Sequence, residues 1–209
     1  MFIQNGMLST SEISIIEARQ EINLYAQRIQ RMFELVKELL LEKNDAAYNK
    51  LFARIVKYEN ISDSMELEIA NYLNKVSEGR LSSESKNEIR QMLRIVTEIE
   101  SLADSCYNLA KTVNRRKETG IDFTESQYTN IEEMFTLVAA SLENMHTALE
   151  SHEHEGKHVN NVFNYENEIN NLRDQLKFKN LIDIDNQVYS YELGIFYMDI
   201  ICESEKLND

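Results

Sequence analysis

Glu59 and Asp63 stand four residues apart, and so do Glu100 and Asp104. On a helix that spacing sends both acids of a pair out from one face, one turn apart. If the two helices run antiparallel with these turns level, four carboxylates converge on one patch. Carboxylates crowded together repel unless a cation neutralises them, and an all-oxygen ligand set suits hard ions such as iron(III), magnesium, manganese or calcium, with zinc tolerated. Spacing alone is weak support. With 36 acids in 209 residues, such pairs also arise by accident on solvated helix faces.

A second constellation points to different chemistry. His154, Glu155, Gly156, Lys157 and His158 read H-E-x-x-H, in which two histidines one turn apart hold zinc and the glutamate serves as base. That chemistry needs a stable helix and a third ligand. Gly156 interrupts the motif, which falls at an expected helix junction, and Asn161 and Asn164 stand where an extended motif has glycine and a third histidine. A polar, histidine-rich turn is the plainer reading. Glu143-x-x-His146 and Glu155-x-x-His158 mimic the Glu-x-x-His of di-iron bundles, but they lie 12 residues apart beside that turn rather than on separate facing helices.

The elements that position these groups are expected to be helices. The chain has no proline, five glycines and no tryptophan, whereas a sheet protein of this length needs many Gly/Pro turns. Apolar residues recur at threes and fours through Ile22, Ile29, Met32, Phe33, Val36 and Leu39, and again through Tyr48, Leu51, Ile55, Met65, Ile69 and Leu73. Gly79 is expected to stop the second helix in a left-handed conformation. Ser82, Ser83 and Ser85 offer N-caps for the third, Ser85 with Glu88 as a capping box. That helix should end at Gly120. Thr124 with Gln127 opens the fourth, whose seam is Ile131, Met134, Phe135, Val138 and Leu142. A fifth helix is expected over about 153–178 and a sixth from about 183 to 209. Lengths of roughly 25 to 35 residues suit an elongated antiparallel bundle.

Internal repetition then decides how the acids are counted. Ile95 to Asp104 and Ile200 to Asp209 agree at five of ten positions at an offset of 105, and Tyr58-Glu59-Asn60 is matched at an offset of 107 by Tyr165-Glu166-Asn167. Two matches in one order suggest a duplicated three-helix unit, 9–118 and 124–209, within one domain spanning 1–209. Glu166, Asn170, Glu205 and Asp209 then form a second acid set. It is the poorer one, because Asn170 replaces an acid and Asp209 is the last residue, at a fraying helix end whose dipole disfavours an anion.

Glu59-x-x-x-Asp63 on one long helix and Glu100-Ser-Leu-Ala-Asp104 on the next resemble the Glu/Asp-x-x-x-Asp signatures of PhoU proteins, over about 9–209 and including the two-repeat plan. The resemblance implies an all-α fold of paired three-helix bundles. It implies a metal-binding, non-enzymatic regulator of phosphate transport or phosphate signalling, with iron, zinc or another divalent or trivalent cation on the signature acids. The long first helix resembles the branch at the cytoplasmic end of bacterial sodium/phosphate cotransporters, which implies a membrane transporter domain or a phosphate-signalling protein as partner. Ser101 and Ala103 depart from the family's customary Arg and Gly.

Charge and cysteines narrow the field further. A net charge of −14 repels phosphate backbones, so nucleic acid is excluded as a partner. Cys106 and Cys202 are isolated thiols without CxxC spacing, which fits a reducing cytoplasm and places them in the core. No run approaches the roughly 20 apolar residues of a membrane span. A cytoplasmic location, at the inner face of a membrane if the chain serves a transporter, is the expectation. Self-association is left open, and so is a metal-free helical interaction protein.

Overall fold

The computed structural model describes residues 11–79, 81–150 and 156–208. Within these lie six helices: α1 (Ser11–Leu41), α2 (Asp45–Ser77), α3 (Ser83–Thr119), α4 (Glu125–Glu150), α5 (Gly156–Asp185) and α6 (Tyr191–Glu205). No strand occurs among the described residues, so the fold is all-α, as expected.

Each helix is explained by its apolar stripe and its ends. On α1, Ile15, Ala18, Ile22, Tyr25, Ile29, Met32, Val36 and Leu39 are all buried at three- and four-residue intervals. Asn44 caps α2 by accepting the Ala47 N–H at 3.0 Å. Thr124 and Gln127 exchange hydrogen bonds at the start of α4, the Gln127 Oε1 accepting from the Thr124 N–H at 3.0 Å and the Thr124 Oγ1 from the Gln127 N–H at 3.2 Å. Gly120, with φ +71°, closes α3 in the left-handed region.

Several ends differ from expectation. The second helix closes through Glu78, in right-handed conformation, with its N–H bonded back to Lys75 and Val76; Gly79 does not act as a left-handed cap there. At α3 the cap is Ser82, which accepts the Ser85 N–H at 3.0 Å, and Glu88 is drawn instead into an ion pair with Arg19 of α1. The largest correction concerns the last two helices. α5 continues to Asp185, and α6 starts only at Tyr191 and has 15 residues. A turn at 186–190 separates them, with Gln187 at φ +58° and Ser190 capping α6 by accepting the Leu193 N–H. Neither glycine nor proline marks that turn.

α1, α2 and α3 pack on one another, as do α4, α5 and α6, and the two trios meet where α1 lies against α4 and α3 against α6. Phe33 and Phe135 stack edge to face across the first seam with centroids 5.2 Å apart, beside the Gln30 amide, which donates to the Leu142 carbonyl and the Glu143 carboxylate. Across the second seam the Asn108 amide donates to Glu203 at 3.1 Å and Arg115 faces Asp199 at 3.5 Å. Gly194 permits the close approach of α5 to α6: a Cβ built there would lie 2.5 Å from the Ile184 Cδ1.

Candidate functional site

The acids of the first trio share one patch. α2 turns Ile55, Ser62, Met65 and Ile69 into the core and α3 turns Val96, Ile99, Ala103 and Cys106 inward. The same periodicity leaves Glu59, Glu66 and Glu100 half-buried and Asp63 and Asp104 exposed. Burial raises the Glu100 carboxyl above its ordinary value, and repulsion from Asp104, Glu66, Asp63 and Glu59 raises it further. Glu59 is raised likewise, by burial and then by Asp63 and Asp104, with Lys111 pulling it back. The neighbouring acids are thus close enough to oppose the ionisation of Glu59 and Glu100. Yet among the described residues no three His, Cys, Asp or Glu side chains are arranged as ligands of one ion. A donor set of five carboxylates fits a hard cation by charge, and its oxygens would have to close around one.

Two members of this arrangement went unnoticed in the sequence. Glu66 lies three residues after Asp63 and seven after Glu59, on the same helical face, and accepts a long hydrogen bond from the Thr97 hydroxyl at 3.5 Å. Tyr25 of α1 lies under the patch, fully buried. Its hydroxyl donates to the Ser62 carbonyl at 3.1 Å and lies 2.7 Å from the Ser62 Oγ, one residue before Asp63. Burial raises its pKa, and Glu100, Glu66 and Asp63 add to that. The hydroxyl therefore stays protonated beneath the acids.

The second trio is built differently. Glu205 forms an ion pair with Arg173 of α5, both side chains being largely shielded (15% and 27% exposed). At the repeat offset of 107, Arg173 stands where the first trio has Glu66. Thus one half places a fifth acid where the other places a guanidinium, which already neutralises the signature glutamate. Glu166 is half-buried on α5, and the Asn170 Oδ1 is buried without a hydrogen-bond partner. Asp209 lies outside the described residues.

The remaining motifs divide similarly. His154 and Glu155 lie outside the described residues, and α5 begins at Gly156, inside the H-E-x-x-H run. Glu143 is engaged by Gln30, and the His146 Nε2 lies 3.7 Å from the Glu150 Oε1, a pairing along α4. Cys106 is buried in the core and burial raises its thiol pKa strongly; Cys202 is half-buried, and both are free. A further polar knot at the α3–α4 turn was not read from the sequence. There Arg116, 9% exposed in its side chain, pairs with Asp122 at 2.5 Å, bonds the Ile121 carbonyl and lies 4.7 Å over the Phe123 ring.

Two three-helix bundles side by side, with acids gathered on the second and third helices, define an all-α helical-bundle protein. Residues 22–113 match the PhoU domain family. The match runs from α1 through most of α3 and so includes Glu59, Asp63, Glu66, Glu100 and Asp104. Over that segment the resemblance read from the sequence is borne out, and it points to a family concerned with regulating phosphate transport. No curated protein matches the chain.

Proposed function

We propose that this chain is a non-catalytic regulatory module of phosphate transport or phosphate signalling, which takes a hard cation on the acids of its first trio. The observation that carries the reading is the meeting of Glu59, Asp63, Glu66, Glu100 and Asp104 across α2 and α3, inside the segment matched to PhoU. Five carboxylates gathered on one patch store repulsion, felt at Glu59 and Glu100, which a bound iron, zinc or other divalent or trivalent ion relieves. The cation in this reading is structural or regulatory. The second trio has Arg173 in that place, so its geometry favours a half that needs no metal. The partner in this reading is a membrane transporter domain, as in sodium/phosphate cotransporters, or a phosphate-signalling protein on the cytoplasmic side. No described helix is long and apolar enough to cross a membrane itself.

Metal content tests the cation. Tag-free protein loaded with iron(III) or zinc and desalted should retain metal that a Glu100→Ala/Asp104→Ala variant loses; equal retention by both would remove the acids from the reading. Phosphate uptake by cells expressing either form tests the regulation. Uptake that responds to neither protein overturns it, and turnover of peptides or phosphoesters by purified protein would overturn the non-catalytic assignment.

A further inference from the structure

Large apolar side chains left in solvent concentrate at one end of the second trio. Phe178, Leu181 and Ile182 on α5 are 68%, 56% and 43% exposed, Val188 in the turn 59%, and Tyr191 and Ile195 on α6 70% and 43%. The α5 residues follow i, i+3, i+4 spacing and the α6 pair i, i+4, so each set forms one stripe. The core does not need them, since α5 is anchored by Ile169, Leu176 and Asn180, all buried. Together they expose roughly 600 Å², at the upper end of the largest apolar patch an ordinary monomer carries.

The charges around the patch say what covers it. Interfacial membrane helices ring their apolar face with Lys and Arg, whereas here Asp183, Asp185 and Glu192 outnumber Lys177 and Lys179 around it, in a chain of net charge −14. The α5 stripe is instead complementary to itself. Lys177 lies four residues before Leu181 and Asp185 four residues after it, and neither makes an ion pair among the described residues. An antiparallel two-fold pairing of α5 with its copy, centred on Leu181, sets Lys177 of each protomer against Asp185 of the other and stacks Phe178, Leu181 and Ile182 between them. Roughly 600 Å² of apolar surface with a polar rim approaches the ~800 Å² per partner of a standard stable interface. We infer that the chain forms a symmetric dimer through the α5–α6 end of its second trio, with Leu181 at the two-fold axis and reciprocal Lys177–Asp185 pairs.

Sedimentation velocity on the full chain across a concentration series tests this, with circular dichroism to establish that each variant keeps its helix content. The wild type is expected to dimerise, and Phe178→Asp, at an exposed position, to weaken association at least about tenfold. Lys177→Glu and Asp185→Lys should each weaken it alone, by setting like charges against each other twice. An equimolar mixture of those two variants should restore a dimer, because both cross-pairs are then of opposite sign. A wild type that stays monomeric at the highest soluble concentration overturns the inference. So does a dimer indifferent to Phe178→Asp, or a charge-swapped mixture that fails to reassociate. Flotation of a monomeric chain with phosphatidylcholine vesicles, abolished by Phe178→Asp, would overturn it in favour of a bilayer.

Discussion

Substituting Glu66 by arginine would build the second trio's solution into the first, and its effect can be worked through in sign and size. Glu and Arg have nearly equal helix propensities, so the backbone term is negligible. Removing Glu66 relieves one of the charges that raise Glu100, and the new guanidinium can pair with Glu100 as Arg173 pairs with Glu205. The site is partly solvated, so the pair contributes about 0.2–1 kcal/mol and relief of repulsion a similar amount. A net gain of ~1 kcal/mol raises the melting temperature by about 2–4 °C in a domain of this size. With saturating cation the order reverses. At one hundred times its Kd a bound ion stabilises the wild type by about 2.7 kcal/mol, while the variant, with its patch two charges more positive, gains little. Thermal melts followed by circular dichroism, in chelator and then in iron(III), zinc or magnesium, should therefore cross: variant above wild type without cation, below it with cation. A variant that melts lower in chelator would refute the electrostatic reasoning. Equal cation-induced shifts in the two proteins would remove Glu66 from the site.

The same acids give stability a pH dependence of definite sign. Glu59 and Glu100 have folded pKa values raised above their ordinary 4.5, so the stability tied to their protonation is present at low pH and lost as pH rises through the folded values. The chelated wild type should melt higher near pH 5 than at pH 7.5, and a Glu59→Gln/Glu100→Gln variant should lose that difference; an unchanged slope in the variant would count against the coupling. Asp122 has the opposite sense. Burial raises it, but the Tyr128 hydroxyl, Arg116 and the Phe123 N–H outweigh that and hold it below its ordinary 3.8, so its contribution is present above that value and disappears as pH falls through the folded one. Asp122→Asn, leaving Arg116 buried beside a weaker acceptor, should cost about 1–3 kcal/mol in urea denaturation at pH 7, with the midpoint moving and the slope not. Phe33→Ala, at the seam between the trios, should cost about 3–5 kcal/mol by the same measurement. A loss below 1 kcal/mol would show that the α1–α4 contact does not hold the trios together.

How much of this was legible depends on where the periodic signal is strong. α1 to α4 carry unbroken apolar stripes and end at recognisable signals such as the Thr124–Gln127 box and Gly120, so their existence and rough extents could be read directly. Among the described side chains of α5 few apolar ones are buried, Ile169 and Leu176 among them, so periodicity says little about where it stops. The break at 186–190 depends on Gln187 accepting a positive φ, which no residue type announces. The paired acids were visible because their spacing is helical. Arg173 was not, because its meaning appears only when the two trios are set in register and its guanidinium is seen on Glu205.

The first helix carries a consequence of its own. α1 contains neither glycine nor proline over its 31 residues, so it has no built-in hinge. It bears Tyr25 beneath the acid patch, and five and eight residues further on it bears Gln30 and Phe33, which are fastened to α4. That separation is about 8–12 Å of continuous helix. If a cation draws the carboxylates together as proposed, the resulting shift of α2 against α1 would reach the second trio as the motion of a stiff beam. Its amplitude at α4 would then be set by leverage rather than by a chain of rearranging side chains.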